Sequence, residues 1–254
     1  MLRKMVILVG FLAIAYLGLC ALLFFSQRSM IYFPPPRSRD SDPNTIELST
    51  VAARVLVSTR PHVGPHALIY FGGNAEDVSY SLPVLSVAFP DHAIYLLHYR
   101  GYGGSSGTPS EAALVSDSIT LFDTVHAEHE YVAVVGRSLG SGIAIHLATV
   151  RPVSRLVLVT PFNSLQELAS HYYPYFPVGW LLRDKYESWR YAERVTAPTI
   201  IIAAEHDEVI PRWSTEALCR HFRNGVASLK VVANTSHNTI ADSSDYVPLL
   251  VGPR

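Results

Sequence analysis

Ser138 is the central residue of the pentapeptide GRSLG at 136–140. This pentapeptide fits G-x-S-x-G. It lies between an apolar run ending at Val135 and a helical pattern, the context of a nucleophile elbow. The alternative is a glycine-rich turn in which Ser138 only caps the following helix. We interpret Ser138 as the nucleophile of an acyl-transfer reaction.

A serine hydroxyl becomes a good nucleophile only when a neighbouring base takes its proton. In the strand–elbow–helix context the partners follow in the order serine, acid, histidine. After the next apolar runs comes EHDEVIP at 205–211, in which Asp207 is the predicted acid. Glu205 and Glu208 are rivals, and a solvated acidic loop is the structural alternative.

The predicted base is His237, within the segment NTSHN at 234–238. Of the 11 histidines, it alone follows the last predicted strand. His206 lies beside the predicted acid and His221 lies in a helical stretch, so both fit surface or structural roles better.

An oxyanion formed during acyl transfer needs backbone N–H donors. The Leu139 amide, directly after the nucleophile, is the first predicted donor. The Asn74 amide, in the loop GGNA at 72–75, is the second. The alternative for Asn74 is a glycine turn in which its side chain caps the next helix. A second glycine-rich stretch, 98–107, lacks the lysine of a P-loop and is predicted to be a structural loop near the site.

These residues need a scaffold of strands and helices to bring them together. Residues 46–57 alternate as one or two antiparallel strands do. The later part of the chain predicts six strands, which alternate with helices over about 75–88, 110–128, 139–149 and 211–223. The six strands cover 67–71, 93–97, 131–135, 156–159, 199–203 and 228–232. This alternation predicts an α/β fold with a mostly parallel central sheet flanked by helices. Residues 161–196 break the rhythm, are rich in aromatic side chains and predict a small helical cap.

The N-terminus differs in character. Residues 5–25 carry no charge and are long enough to span a bilayer, so we predict an uncleaved membrane anchor over 1–28. A cleaved signal peptide is the alternative. A proline-containing linker over 29–43 would precede a catalytic domain over 44–254. The excess of arginine over lysine and the charges flanking the apolar run predict a bacterial inner-membrane protein whose domain lies outside the cytoplasm.

Composition excludes other classes of function. The net charge is −1 and basic tracts are short, so no nucleic-acid partner is predicted. The chain has two cysteines, and neither a metal-ligand spacing nor a cofactor motif occurs in the sequence, so no cofactor is predicted.

Four motifs together resemble the membrane-anchored α/β-hydrolase domain-containing serine hydrolases: YFGGNAED at 70–77, YRGYGGS at 99–105, GRSLGSG at 136–142 and HDEVIP at 206–211. The resemblance implies Ser138, Asp207 and His237 as a triad, with Asn74 and Leu139 as oxyanion donors. Relatives often have histidine where Gly72 stands.

The resemblance also implies the class of substrate. Members of this branch include esterases, lipases and thioesterases that act on acyl groups. The family does not settle specificity, but the aromatic cap and the membrane anchor favour an apolar, lipid-like acyl substrate. A peptidase using the same triad and a non-catalytic binding or scaffold protein on the same fold are the alternatives. Dehalogenases and epoxide hydrolases have aspartate at the nucleophile position, which disfavours their chemistry here.

Overall fold

A computed structural model of the chain describes residues 1–36, 44–50 and 52–252. Part of the predicted linker, residues 37–43, lies outside the described residues, as do residues 253–254 at the end of the predicted domain.

The central feature is a single sheet built mainly from the predicted apolar runs. Its strands are β1 (Thr45–Ser49), β2 (Arg54–Arg60), β3 (His66–Phe71), β4 (Ala93–Leu97), β5 (Tyr131–Arg137), β6 (Arg155–Val159), β7 (Thr199–Ala204) and β8 (Ala227–Val232). Their order across the sheet is β1-β2-β4-β3-β5-β6-β7-β8. The pairs from β4 to β8 are parallel, whereas β2 pairs antiparallel with both β1 and β4. This mostly parallel sheet confirms the predicted α/β class.

The helices follow the strands in the predicted alternation. They are α1 (Leu2–Ile31), α2 (Leu82–Ala88), α3 (Glu111–His126), α4 (Leu139–Val150), α5 (Leu165–Tyr172), α6 (Val178–Leu181), α7 (Trp189–Ala192), α8 (Arg212–His221) and α9 (Tyr246–Val251). Alternate strand residues bury against opposite faces of the sheet. Ile69 and Val134 belong to the core that includes α3, α4 and α8, whereas Leu68 and Val135 belong to the core that includes α2 and α9. Both faces are therefore covered, which explains why these strands are apolar throughout.

The predicted helix over 75–88 is wrong in its first half. Ala75 has a φ of 58°, outside the helical region, and only a short 3₁₀ turn over Val78–Ser81 precedes α2. The Glu76 carboxylate folds back to accept hydrogen bonds from the Gly73 amide and the Tyr70 hydroxyl, both at 2.7 Å. These residues form a turn because Glu76 stabilises the loop after β3.

The aromatic segment between β6 and β7 forms the predicted cap from three short helices, α5, α6 and α7. In the described part of the chain, α1 is the one helix that is long and apolar enough to cross a membrane. Helix α9 was not predicted, because it has only six residues and contains Pro248. The carboxyl ends of β3, β5, β7 and β8 lie along one edge of the sheet, where the candidate chemical residues follow.

Candidate active site

Ser138 occupies a sharp turn between β5 and α4. Its backbone has φ 49° and ψ −115°, a conformation that a non-glycine residue rarely adopts. The turn is held in place because the Ser138 amide donates to the Val159 carbonyl of the neighbouring strand at 2.9 Å. This strained strand-to-helix turn projects the serine side chain above the carboxyl edge of the sheet, as a nucleophile elbow requires.

Gly140 lets the first turn of α4 approach the end of β3. A Cβ at this position would overlap the Phe71 carbonyl and would lie 2.7 Å from the Gly72 oxygen. Both neighbours are backbone atoms at the centre of the sheet and cannot move aside. The absence of a side chain at Gly140 therefore keeps the loop after β3 beside Ser138.

We expect Gly140→Ala to lower the free energy of unfolding by about 2–3 kcal/mol, because overpacking against fixed backbone is costly. Chemical denaturation of the variant and of the unmodified chain measures the difference. Gly179→Ala is the matched control, since its added Cβ would meet only the Gln166 side chain at 3.6 Å. Equal stability of the two variants would contradict the tight contact.

The structure brings Ser138, His237 and Asp207 together in one hydrogen-bonded line. The Ser138 Oγ lies 3.0 Å from the His237 Nε2. On the other side of the ring, the His237 Nδ1 lies 2.9 Å from the Asp207 Oδ2 and 3.0 Å from its Oδ1. The side chains of His237 and Asp207 are 8% and 5% exposed. Burial of the pair limits competition from water for these hydrogen bonds.

The Asp207 carboxylate is itself oriented by backbone donors. Its Oδ1 accepts hydrogen bonds from the Val209 amide at 3.0 Å and the Ile210 amide at 2.7 Å. The two rival acids have other partners: Glu205 accepts from the Asn234 amide at 2.8 Å, and Glu208 accepts from the His237 amide at 3.2 Å. Within the described residues neither rival is hydrogen-bonded to the His237 ring, so Asp207 has the geometry of the acid.

The two predicted oxyanion donors lie beside Ser138 and line the same cavity. Leu139 is the first residue of α4, so its amide has no acceptor inside the helix. The Gly73 amide is already bound to Glu76, whereas the Asn74 amide donates to no acceptor within 1–36, 44–50 and 52–252. Both N–H groups are therefore available to donate hydrogen bonds to an oxyanion beside Ser138.

The Asn74 side chain does not cap a helix, contrary to the alternative raised by the sequence. Its Oδ1 accepts from the Phe33 amide at 3.0 Å and the Tyr102 hydroxyl at 2.7 Å, while its Nδ2 donates to the Ile31 carbonyl at 2.7 Å. The next helical turn is capped by Asp77, which accepts from the Ser79 amide at 3.1 Å. Asn74 instead binds the loop after β3 to Ile31, the last residue of α1, and to Phe33 just beyond it.

The glycine-rich stretch at 98–107 donates hydrogen bonds to the loop after β3. Tyr99 donates to the Gly72 carbonyl at 2.8 Å, and Tyr102 donates to the Asn74 side chain. Burial raises the pKa of Tyr102 to about 12, so its hydroxyl keeps the proton that it donates. The stretch lies near the site and contributes hydrogen bonds to the loop after β3, which carries Asn74.

One supporting pair was not found from the sequence. Arg137 forms an ion pair with Glu76 at 3.0 Å, and its Nη2 donates to the His237 carbonyl at 3.4 Å. Arg137 thus links the turn after β3 to the loop that carries the histidine. The signal was present, because Arg137 is the variable second residue of GRSLG and Glu76 belongs to YFGGNAED, but neither motif specifies what these side chains contact.

An apolar cavity of about 350 Å³ reaches Ser138 and Leu139 from the side of the cap. The side chains on its cap side come from α5, α6 and their connections. They include Phe162, Leu165, Leu168, Tyr172, Phe176 and Leu182. The opposite wall comes from the last turns of α1. The Ser138 hydroxyl is therefore reached through a largely hydrocarbon environment.

Comparison with known proteins agrees with this architecture. Residues 68–191 match the family described as "Serine aminopeptidase, S33". That span contains Ser138 and both candidate amide donors and ends before Asp207 and His237. An uncharacterized protein of Mycobacterium tuberculosis is 33% identical over 230 residues, which cover 83% of this chain and 80% of the relative. The chain belongs to the α/β-hydrolase superfamily.

Two further kinds of relative are informative. The lysophosphatidylserine lipase ABHD12 of Macaca fascicularis is 32% identical over 152 residues, covering 50% of this chain and 38% of the lipase. Among solved structures, the α/β-hydrolase MGS-M2 from a deep-sea metagenome library has a TM-score of 0.67 at 14% identity and covers 81% of this chain and 96% of that one. The Pyrococcus furiosus esterase Pf2001 has a TM-score of 0.65 at 16% identity, covering 82% and 90%. At such low identities the two structures demonstrate the fold alone.

Proposed function

We propose that the chain is a membrane-anchored serine hydrolase that cleaves carboxylic ester or thioester bonds of apolar acyl substrates. The observation that carries the proposal is the hydrogen-bonded line from the Ser138 Oγ to His237 and Asp207 at the end of an apolar cavity. No cofactor is needed for this chemistry, because proton transfer and backbone hydrogen bonding supply the catalysis.

The reaction follows from the geometry. The Ser138 Oγ attacks the carbonyl carbon while the His237 Nε2, 3.0 Å away, takes the hydroxyl proton. The carbonyl oxygen becomes an oxyanion, for which the Leu139 and Asn74 amides are the donors. The bond from carbon to the leaving alcohol or thiol then breaks, and His237 returns the proton to the leaving atom. A water molecule, deprotonated by His237, hydrolyses the acyl-enzyme and regenerates Ser138.

The cavity favours an acyl group over a peptide. Its lining consists mainly of aliphatic and aromatic side chains, and it includes no carboxylate among the residues that the structure describes. An aminopeptidase would need an acidic group to hold the free amine of its substrate. The lipase named among the relatives supports a lipid-like acyl substrate. Ester or thioester cleavage therefore fits this site better than peptide cleavage does.

The anchor is part of the proposal. Helix α1 has 30 residues, about 45 Å at 1.5 Å per residue, which exceeds the hydrocarbon thickness of a bilayer. Its side chains from Met1 to Leu19 are all exposed in the protein. Such a surface is stable in lipid and unstable in water. A bacterial inner membrane with the domain outside the cytoplasm stays a prediction from the sequence.

Labelling by a fluorophosphonate probe tests the proposal, because the probe reacts with activated serines. We expect the full-length chain in detergent to be labelled and Ser138→Ala to lose the label. Ser116→Ala, at an exposed position on α3, is the matched control and should label like the unmodified chain. A folded chain that takes no label would instead favour the non-catalytic scaffold.

A further inference from the structure

The last turns of α1 are bound to the cap by hydrogen bonds and an ion pair. Gln27 is buried, and its side chain donates to the Leu181 carbonyl at 3.0 Å and accepts from the Arg183 amide at 2.6 Å. The next residue, Arg28, forms an ion pair with Asp184 at 3.0 Å. A polar side chain that satisfies two cap backbone groups fixes both the position and the rotation of the helix.

The contacts of α1 extend from its last turn to the loop after β3, which carries Asn74. The Tyr32 hydroxyl lies 2.8 Å from the Tyr186 hydroxyl and donates to Asp184 at 3.2 Å. Beside it, the Ile31 carbonyl and the Phe33 amide bind the two ends of the Asn74 side-chain amide. The residue that offers a backbone donor to the intermediate is thus held by the end of the anchor helix.

The same helix end forms a wall of the cavity at Ser138. Leu23, Gln27, Met30 and Ile31 line this cavity. Their spacing of i, i+4, i+7 and i+8 places them on one helical face. The cavity therefore lies between the anchor helix and the cap, and the domain without α1 would lack this wall.

The cap also contacts α1 well before its last turns, at Tyr16. The Tyr16 hydroxyl donates to the Tyr175 carbonyl at 2.8 Å, and the Tyr16 ring stacks on Phe176. Tyr16 lies about 16 Å along the helix from Gln27. Tyr175 and Trp180 nearby are 85% and 89% exposed. Exposed aromatic side chains beside a membrane helix are typical of the lipid–water interface.

We infer that α1 forms one wall of the acyl-binding site, and that the substrate is a bilayer-resident amphiphile whose acyl chain lies between α1 and the cap while its ester bond reaches Ser138. This inference rests on the proposed function. It follows from the continuity between an apolar cavity, a membrane helix and an aromatic cap surface. The side chains of α1 then help to set the acyl-chain length.

Two neighbouring leucines on α1 allow a matched test in the full-length chain reconstituted in phospholipid nanodiscs. Leu23 lines the cavity, whereas Leu22 is 62% exposed and faces away from it. Leu23→Trp should lower kcat/KM for p-nitrophenyl dodecanoate and palmitate by about tenfold or more, because the indole occupies acyl space. The loss on the acetate and butyrate should be smaller, because Leu23 lies about 12 Å along α1 from Ile31, whose carbonyl binds Asn74 beside Ser138.

Leu22→Trp places the same bulk on the lipid side and should leave the whole series unchanged. Equal chain-length profiles for the two variants would overturn the inference. A surface-dilution measurement tests the membrane source: at constant bulk concentration, the rate on the palmitate should fall with its mole fraction in the bilayer. A rate that follows bulk concentration alone would also overturn it.

Fluorophosphonate labelling of each variant separates the possible failures. Labelled variants with identical profiles refute the role of α1 and leave the serine hydrolase intact. If the unmodified chain is neither labelled nor active on any ester, the proposed function fails, and this inference fails with it.

Discussion

His237→Ala is expected to reduce kcat/KM for ester hydrolysis by about 10⁵- to 10⁶-fold, because removal of the base removes the activation of the nucleophile. The imidazole contacts both partners, with its Nε2 3.0 Å from the Ser138 Oγ and its Nδ1 2.9 Å from Asp207. In the described structure, no other imidazole is hydrogen-bonded to Ser138. Initial rates with p-nitrophenyl butyrate, measured on detergent-solubilised protein, give the comparison.

His221→Ala is the control for this measurement. His221 lies on the exposed surface of α8, with its ring centroid 5.9 Å from that of Trp189. Its replacement should change kcat/KM by less than about threefold, as surface substitutions usually do. If His237→Ala kept more than a hundredth of the activity, the assignment of His237 as the base would be refuted.

Much of the fold was predictable because its signals are local. The runs that become β3, β4, β5 and β7 are apolar over about five consecutive residues, and parallel strands covered on both faces need that pattern. GRSLG at 136–140 predicts a sharp turn, because its glycines are needed where backbone segments pack closely. A Cβ at Gly140 would overlap the Phe71 carbonyl, which is the physical reason for glycine at that position. Asp207 and His237 were identifiable because each follows a strand whose carboxyl end lies at the same sheet edge as Ser138.

The role of α1 was not predictable, because it depends on contacts distant in sequence. Arg28 and Asp184 are separated by 156 positions, as are Gln27 and Arg183. The apolar run at 5–25 predicts a membrane span and contains nothing that specifies which face packs on a protein. In the sequence, Gln27 and Arg28 indicate only the polar end of a membrane anchor. Only the folded cap supplies the carbonyl, amide and carboxylate that they bind.

The turn over 75–77 shows the same limit at short range. Helix-favouring residues suggested that a helix begins there, and the tertiary contacts of Glu76 prevented it. Its carboxylate binds the Gly73 amide, the Tyr70 hydroxyl and Arg137. Helix propensity contributes little free energy per residue, and these hydrogen bonds to the Glu76 carboxylate outweigh it.

The second large effect concerns Asp207→Asn, which should reduce kcat by about 10⁴-fold through the tautomer of His237. The Val209 and Ile210 amides both donate to the Asp207 Oδ1. An asparagine would keep its oxygen there and direct its NH₂ group toward the position of the Oδ2, 2.9 Å from the His237 Nδ1. The imidazole would then carry its proton on Nε2 and could not accept the serine proton.

The two rival carboxylates provide matched controls. Glu205→Gln leaves an oxygen that can still accept from the Asn234 amide, and Glu208→Gln leaves one for the His237 amide. Neither change alters the hydrogen bonds of the imidazole, so each should change kcat by less than about tenfold. A loss near 10⁴-fold in Glu208→Gln, together with a mild effect of Asp207→Asn, would move the acid to Glu208.

The double variant Asp207→Asn/His237→Ala distinguishes a shared mechanism from independent damage. Asp207 is argued to act only through the imidazole, so removing the carboxylate after the ring has gone should cost little more activity. Independent effects would multiply to about 10⁹-fold or more, whereas residues that act as one unit lose about as much together as the more severe single variant does. Activity of the double variant equal to that of His237→Ala, within about tenfold, is therefore the expected result, and circular dichroism of all three variants checks that each is folded.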